Sequence, residues 1–150
     1  MRIVVDADAC PVKDIILETA AKYKIPVTMV ADTSHILSNI ECEIIVVDKG
    51  QDAADIAIAN RIHKDDIAVT QDSALACMLL SKGANVINQN GFLYSDKNID
   101  ELLMRRHISA KKRRSSKRVT YIKPRTVEDD INFRICLEKL IITVLEKSHL

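Results

Sequence analysis

The chain has no tryptophan, and only three tyrosines and two phenylalanines in 150 residues. Stacking of nucleic-acid bases on aromatic platforms therefore has little to draw on. No uninterrupted apolar stretch approaches the length of a membrane-crossing helix. The four cysteines, Cys10, Cys42, Cys77 and Cys136, form no Cys-x-x-Cys pair, so neither a zinc site nor a disulfide framework is indicated. Cys42, Cys77 and Cys136 read as small apolar side chains. Cys10 stands near a predicted helix start, where a thiol pKa can fall, but a structural role is the expectation there too. Met1-Arg2 lead straight into a short strand without a signal-peptide pattern, and a cytoplasmic protein that does not engage a membrane is expected. There is no internal repeat.

Apolar residues make up 47% of the chain, the share of an ordinary globular protein. The length suits one domain, residues 1–150, with a single sizeable core. Five short apolar runs recur: Ile3–Val5, Val27–Val30, Ile44–Val47, Ile67–Val69 and Val86–Ile87. Between them apolar residues fall at helical spacing: Val12, Ile15, Ile16, Ala20 and Tyr23, then Ala54, Ile58 and Ile62, then Leu75, Met78 and Leu79. Gly83 fits the left-handed position just past a helix end. Strands alternating with helices predict right-handed crossovers and a mainly parallel five-stranded sheet, an α/β fold. Asn98–Arg106 reads as a further helix with Ile99, Leu102 and Leu103 inward. A C-terminal helix at about 128–147 carries Ile131, Ile135, Leu140, Ile141, Val144 and Leu145, with Glu128, Asp129 and Asp130 suited to its positive end. Ser34–Ile40 fits either a short helix or a loop.

The acids follow the strands. Asp6 closes the first run and Asp8 comes next, ahead of Pro11, which suits the first position of a helix. Asp72 follows the fourth run. Asp52 and Asp55 open the helix after the third, and residues three apart share a helix face. In a parallel sheet all these turns emerge on one edge, the edge where ligands of open α/β sheets bind. A central first strand brings its acids close to those of its neighbours. Taken singly, Asp52 and Asp72 read equally well as helix N-caps, and Asp48, Asp65 and Asp66 read as solvated turn residues. Crowded carboxylates repel one another unless a cation lies between them. Oxygen ligands without His or Cys favour Mg²⁺ or Mn²⁺ over Zn²⁺, and such ions act on phosphate oxygens. Asp6, Asp8, Asp55 and Asp72 are the candidate catalytic residues, and the same four with Asp52 are the candidate metal ligands.

Formal net charge is +1, but it is unevenly spread. Residues 1–104 hold 9 basic and 16 acidic side chains, residues 105–126 hold 10 basic and no acidic ones, and residues 127–150 hold 3 basic and 5 acidic. An acidic body with a basic arm points to an anionic partner. Ser109–Pro124 has little apolar periodicity, so the basic segment at about 105–126 is expected to form an exposed loop or arm. Arg105, Arg106, Lys111, Lys112, Arg113, Arg114, Lys117 and Arg118 are candidate nucleic-acid-binding residues, because Lys and Arg neutralise phosphates without reading sequence. A solvated charged loop is the competing interpretation. Tyr121 is the one aromatic residue near this arm.

Val5-Asp6-Ala7-Asp8-Ala9-Cys10-Pro11-Val12 closely resembles the opening motif of the YaiI/YqxD family of bacterial proteins. Asp52-Ala53-Ala54-Asp55, Val69-Thr70-Gln71-Asp72 and Leu75-Ala76 resemble its second and third blocks. Gly91-Phe92-Leu93-Tyr94, Asn98-Ile99 and Leu103 with Arg105 or Arg106 resemble its later pattern. The resemblance runs along most of the chain and weakens beyond Arg106, where Tyr121-Ile122-Lys123-Pro124 stands in place of a Gly-Gly-Pro stretch. The family is grouped with PIN-like domains. That grouping implies a small three-layer α/β/α sandwich, an acidic site for Mg²⁺ or Mn²⁺ and, by analogy, ribonuclease activity. It matches Asp6 and Asp8 to the first acids, Asp52 and Asp55 to the central ones, and Asp72 to the acid after the fourth strand.

Three functions compete. The leading one is a metal-dependent nuclease that hydrolyses phosphodiester bonds, with RNA ahead of DNA. The second is a haloacid-dehalogenase-type phosphatase with Asp6 as covalent nucleophile, although the chain is short and lacks a clear later Lys followed by paired acids. The third is a non-catalytic nucleic-acid-binding module. Assembly with further copies of the chain stays open.

Overall fold

The computed structural model describes residues 1–32, 41–50, 52–115 and 123–149. Five strands, β1 (Ile3–Asp6), β2 (Val27–Asp32), β3 (Glu43–Val47), β4 (Ile67–Val69) and β5 (Asn85–Ile87), coincide with the five apolar runs to within two residues. They pair in the order β3-β2-β1-β4-β5, every neighbour parallel. β1 is central: Ile3 lies opposite both Val27 and Ile67, and Val5 opposite both Met29 and Val69. The helices between strands are α1 (Lys13–Lys22), α2 (Ala53–Arg61) and α3 (Ser73–Ser81), followed by α4 (Ile99–Ser115) and α5 (Val127–Ser148). Alternation along each strand feeds two cores. On one face Ile3, Val5, Met29 and Val69 pack with Ile16 of α1 and Phe133, Leu137 and Ile141 of α5. On the other, Val4, Val30, Ala68 and Val86 pack with Ile58 of α2, Leu75 and Leu79 of α3, and Ile99 of α4. The result is a three-layer α/β/α sandwich.

Several expectations need correction. Pro11 is not the first helical residue. A turn closed by Cys10 N–H donating to Ala7 O (3.3 Å), with Ala9 left-handed at φ 58°, delays α1 to Lys13. Asp66 is not a solvated turn residue: it is 4% exposed. Its carboxylate accepts the backbone N–H groups of Arg2 (3.1 Å) and His63 (2.8 Å), tying the start of β1 to the turn before β4. The loop expected from Ser109 is helical through Ser115, so the basic segment starts inside α4. Lys and Arg are good helix formers, and a helix polar all round leaves no apolar stripe for periodicity to register. Ser34–Ile40, Lys117, Arg118 and Tyr121 lie outside the described residues.

α5 starts at a capping box. Thr126 Oγ1 accepts the Asp129 N–H, and the Asp129 carboxylate accepts the Thr126 N–H. Its inward face is Phe133, Leu137, Leu140, Ile141 and Val144, whereas Ile131 and Ile135 are 54% and 49% exposed. Both sets recur at helical spacing, so periodicity alone does not choose the buried stripe. Phe133, fully buried, decides it. Phe133→Ala is expected to cost about 3–5 kcal/mol and Ile131→Ala less than about 0.5 kcal/mol. Denaturant unfolding of the two variants compares them directly, and equal costs would place the wrong face inward.

Candidate active site at the end of the central strand

Order β3-β2-β1-β4-β5 makes the chain leave β1 for one side of the sheet and β4 for the other. The crevice between their carboxyl ends is the switch point at which ligands of open parallel sheets settle. Asp6 is the last residue of β1, and the β4–α3 connection Thr70-Gln71-Asp72 faces it. Thr70, buried, joins the two. Its hydroxyl donates to Asp6 Oδ2 (3.0 Å) and accepts the Asp72 N–H (3.1 Å). Asp72 is the N-cap of α3, its Oδ1 accepting the N–H groups of Ala74 (2.9 Å) and Leu75 (3.3 Å). Its role as a cap is therefore real, and the same cap holds the carboxylate at the edge of the site.

Asp8 lies one turn further along. Its carboxylate receives the Asp32 N–H at the end of β2 (3.1 Å to Oδ2), so the turn after β1 is anchored to the neighbouring strand. Asp55 sits in the first turn of α2. Asp52 is at the N-cap of that helix with a left-handed backbone (φ 70°), is exposed, and makes no side-chain cap hydrogen bond. The charges of Asp8, Asp55 and Asp72 thus act on Asp6 at the end of β1, whereas Asp52 is exposed at the start of α2.

The electrostatic consequence falls on Asp6. Burial pushes its carboxyl from 3.8 up to about 6, and the charges of Asp55, Asp8 and Asp72 push the same way, against the hydrogen bond from Thr70. Among the described residues, no group of three or more His, Cys, Asp or Glu side chains is set closely enough to hold a metal ion together. The donors are carboxylate oxygens, and Mg²⁺ is ordinarily held by only one or two carboxylates, completing its shell with water and substrate phosphate. The residues present fit that kind of ion and not a closed protein cage. Cys10 borders the same hollow, with Gln71 and Gln89. Burial raises its thiol pKa, which lowers its share of reactive thiolate.

Among the basic candidates, Arg105 is exposed and paired with Glu101 one turn earlier in α4. Arg106, Lys111, Lys112, Arg113 and Arg114 share that helix. No described helix is long and apolar enough to cross a membrane. Thr70, Gln71, Gln89 and Arg125 were not singled out from the sequence. Thr70 and Gln71 stand inside the Val69-Thr70-Gln71-Asp72 block, and the position of Asp72 was the available clue to them. Gln89 carried no signal, because it lies in a loop after an edge strand.

A raised carboxyl pKa makes the fold bind more protons than the unfolded chain between pH about 4 and about 6. The contribution of Asp6 to the stability of the metal-free protein is therefore full below pH about 4 and is lost as pH rises through about 6. Asp6→Asn is expected to remove that dependence and to stabilise the metal-free protein at neutral pH by roughly 1–3 kcal/mol. Urea unfolding of both proteins in chelator across pH 4 to 8 measures it, and identical pH profiles for the wild type and Asp6→Asn would contradict the placement of Asp6.

Residues 4–143 match the family described as "Uncharacterized BCR, YaiI/YqxD family". A UPF0178 protein of Alkaliphilus oremlandii is 50% identical over 150 residues, 100% of this chain and 94% of its own. One from Ruminiclostridium cellulolyticum is 52% identical over 137 residues, 91% of this chain and 90% of its own. Among solved structures, Rae1 (YacP) from Bacillus subtilis is 18% identical, with a TM-score of 0.42 over 95% of this chain and 99% of that one. A likeness that distant says nothing about function. The full-length matches do establish kinship: the chain belongs to the YaiI/YqxD family.

Proposed function

We propose that this chain is a metal-dependent nuclease that hydrolyses phosphodiester bonds, in RNA ahead of DNA, at the carboxyl end of β1. The observation that carries the reading is the state of Asp6. A carboxylate is half-buried at the switch point of the sheet, and its desolvation, with the charges of three further carboxylates, raises its pKa. Such a group either takes up a proton or is paired with a cation, and a divalent ion relieves all four acids at once. Mg²⁺ or Mn²⁺ bound there supplies polarisation of the phosphodiester and a more acidic water. Asp6 and Asp8 are the residues that would hold it, with Asp55 and Asp72 adding negative field and Asp52, exposed at the start of α2, as a further candidate ligand.

The chain's own groups do the positioning. Thr70 holds one oxygen of Asp6 in place, and the α3 N-terminus fixes Asp72. The basic residues Arg105, Arg106, Lys111, Lys112, Arg113, Arg114, Lys117 and Arg118 supply cations that hold the polyanion. The PIN-like grouping implied by the resemblance, and a cytoplasmic setting with RNA as partner, belong to the same proposal.

Incubation of the protein with single-stranded RNA and DNA oligonucleotides tests it. Cleavage is expected with Mn²⁺ or Mg²⁺, none with chelator, and none from Asp6→Asn, which should bind RNA as well as the wild type or better because a negative charge near the phosphates is gone. A melting temperature unmoved by millimolar Mn²⁺ would remove the metal from this account. Asp6→Asn with undiminished cleavage would remove the site.

Neutralising Lys111, Lys112, Arg113 and Arg114 together should weaken binding across all sequences. The log–log salt dependence should flatten by about one unit for each phosphate that is no longer neutralised. Cleavage should recover at saturating substrate, because these residues act on binding more than on the chemical step. Unchanged binding and salt dependence would make the basic run a solvated helix end.

A further inference from the structure

The outer face of α5 is apolar where a surface helix is ordinarily polar. Opposite the buried stripe, Val127, Ile131, Ile135 and Ile142 are 74%, 54%, 49% and 40% exposed. Steps of four, four and seven set them along one face of the helix, in a strip about 22 Å long. All four are β-branched, which lowers helix propensity, so the helix itself gives no reason for them. The core gives none either, because Phe133, Leu137 and Ile141 fill it from the opposite side of α5. An exposed apolar strip of this kind marks a contact surface.

Charge beside the strip identifies the occupant. On the flank facing α1, Arg134 and Glu138 are engaged with Glu18 and Lys22. On the other flank stand Glu128, three positions before Ile131, and Lys139, four positions after Ile135. Both are exposed, and among the described residues neither has an ion-pair partner. The midpoint of Glu128 and Lys139 lies within half a residue of the midpoint of Ile131 and Ile135, so the pattern acid, Ile, Ile, base is its own complement when reversed. Two helices packed antiparallel about a two-fold axis bring together residues equidistant from that midpoint, and side chains on the same flank face each other. Ile131 then meets Ile135 of the partner subunit, and Glu128 meets Lys139 of the partner subunit, each contact made twice. Such self-complementarity is what a two-fold interface requires.

We propose that two copies of this chain pair through the outer face of α5, antiparallel, with Ile131 and Ile135 at the axis and a Glu128–Lys139 ion pair on either side. The proposal stands independently of the nuclease reading, but it bears on the same region. Glu128 borders a groove of about 670 Å³ that adjoins the Asp6 hollow, with Gln71, Gln89 and Arg125 also in its walls. Pairing with Lys139 of the partner subunit neutralises an acid at that groove. A strip of this length falls at the small end of stable interfaces, so the pairing is expected to be reversible.

Sedimentation of the full chain over a concentration series tests this. The wild type is expected to pass from 16.8 kDa to twice that mass at tens of micromolar. Ile135→Glu should hold it at the single mass, with the denaturant midpoint of dilute protein unchanged because the side chain lies outside the core. Glu128→Lys and Lys139→Glu should each raise the dissociation constant by about tenfold, since like charges then face each other. The two charge variants mixed in equal amounts should pair as tightly as the wild type, because each supplies the charge that the other reverses. That recovery also excludes misfolding as the cause of either loss. A wild type that stays at the single mass throughout would overturn the proposal. So would a dimer that Ile135→Glu leaves intact, which must form elsewhere. Charge variants that pair no better mixed than alone would overturn the antiparallel register and the proposal with it.

Discussion

β1 has a parallel neighbour on each side and a helical layer on each face, so Ile3, Val4 and Val5 are wholly removed from water. A strand so enclosed admits only apolar residues along its length. The first ionisable side chain the chain can place is at its end, and it emerges still partly desolvated. Asp6 occupies that point. Its electrostatic strain, the crevice beside it and the order of the five strands share one cause, the central placing of β1. The two cores on either side of the sheet hold the strand still, and the two loops leaving its carboxyl end diverge because α1 and α3 must cover opposite faces.

Thr70 turns that position into a site. A single buried hydroxyl donates to Asp6 and accepts from the backbone at Asp72, so the end of β1 and the cap of α3 move as one unit. The N–H groups that open α3 supply fixed positive dipoles to Asp72, whereas Asp6 has the Thr70 hydrogen bond set against burial and three like charges. Two carboxylates in one crevice therefore sit in different environments. That asymmetry is a common starting point for divided acid, base and ligand roles, and it arises from the strand-to-helix turn of β4 and not from any unusual residue.

Charge is organised along the chain as well as around the site. α4 begins with Asp100 and Glu101 and ends in a run of Lys and Arg, so its charges complement the helix dipole at both ends. α5 begins with Glu128, Asp129 and Asp130 at its own positive end. The basic residues are thus partly explained as helix C-terminal charge, but ten cations without an acid between 105 and 126 exceed what a helix end requires. The surplus is the feature on which the proposed contact with a polyanion rests.

The five strands, their parallel pairing and the central place of β1 were legible in the sequence, because buried parallel strands are apolar without interruption and each was bounded by turn residues. The candidate acids were legible for the same reason: strand ends are where polarity returns. Other features were decided only by the fold. Asp66 reads like Asp65 beside it, yet one is buried across from Arg2 and the other is exposed, since only pairing of β1 with β4 brings Arg2 near. Phe133 and Ile131 lie on rival stripes of α5, and the choice fell to the shape of the core over β1. The basic segment is helical through Ser115 because helical propensity acts without apolar periodicity. The groove beside Asp6 is built from Gln71, Gln89 and Arg125, far apart in sequence, which share no pattern that a linear reading registers. Periodicity and strand ends are local properties and are written in the chain; burial, pairing across the sheet and the walls of a groove depend on which distant residues meet, and those are settled only by packing.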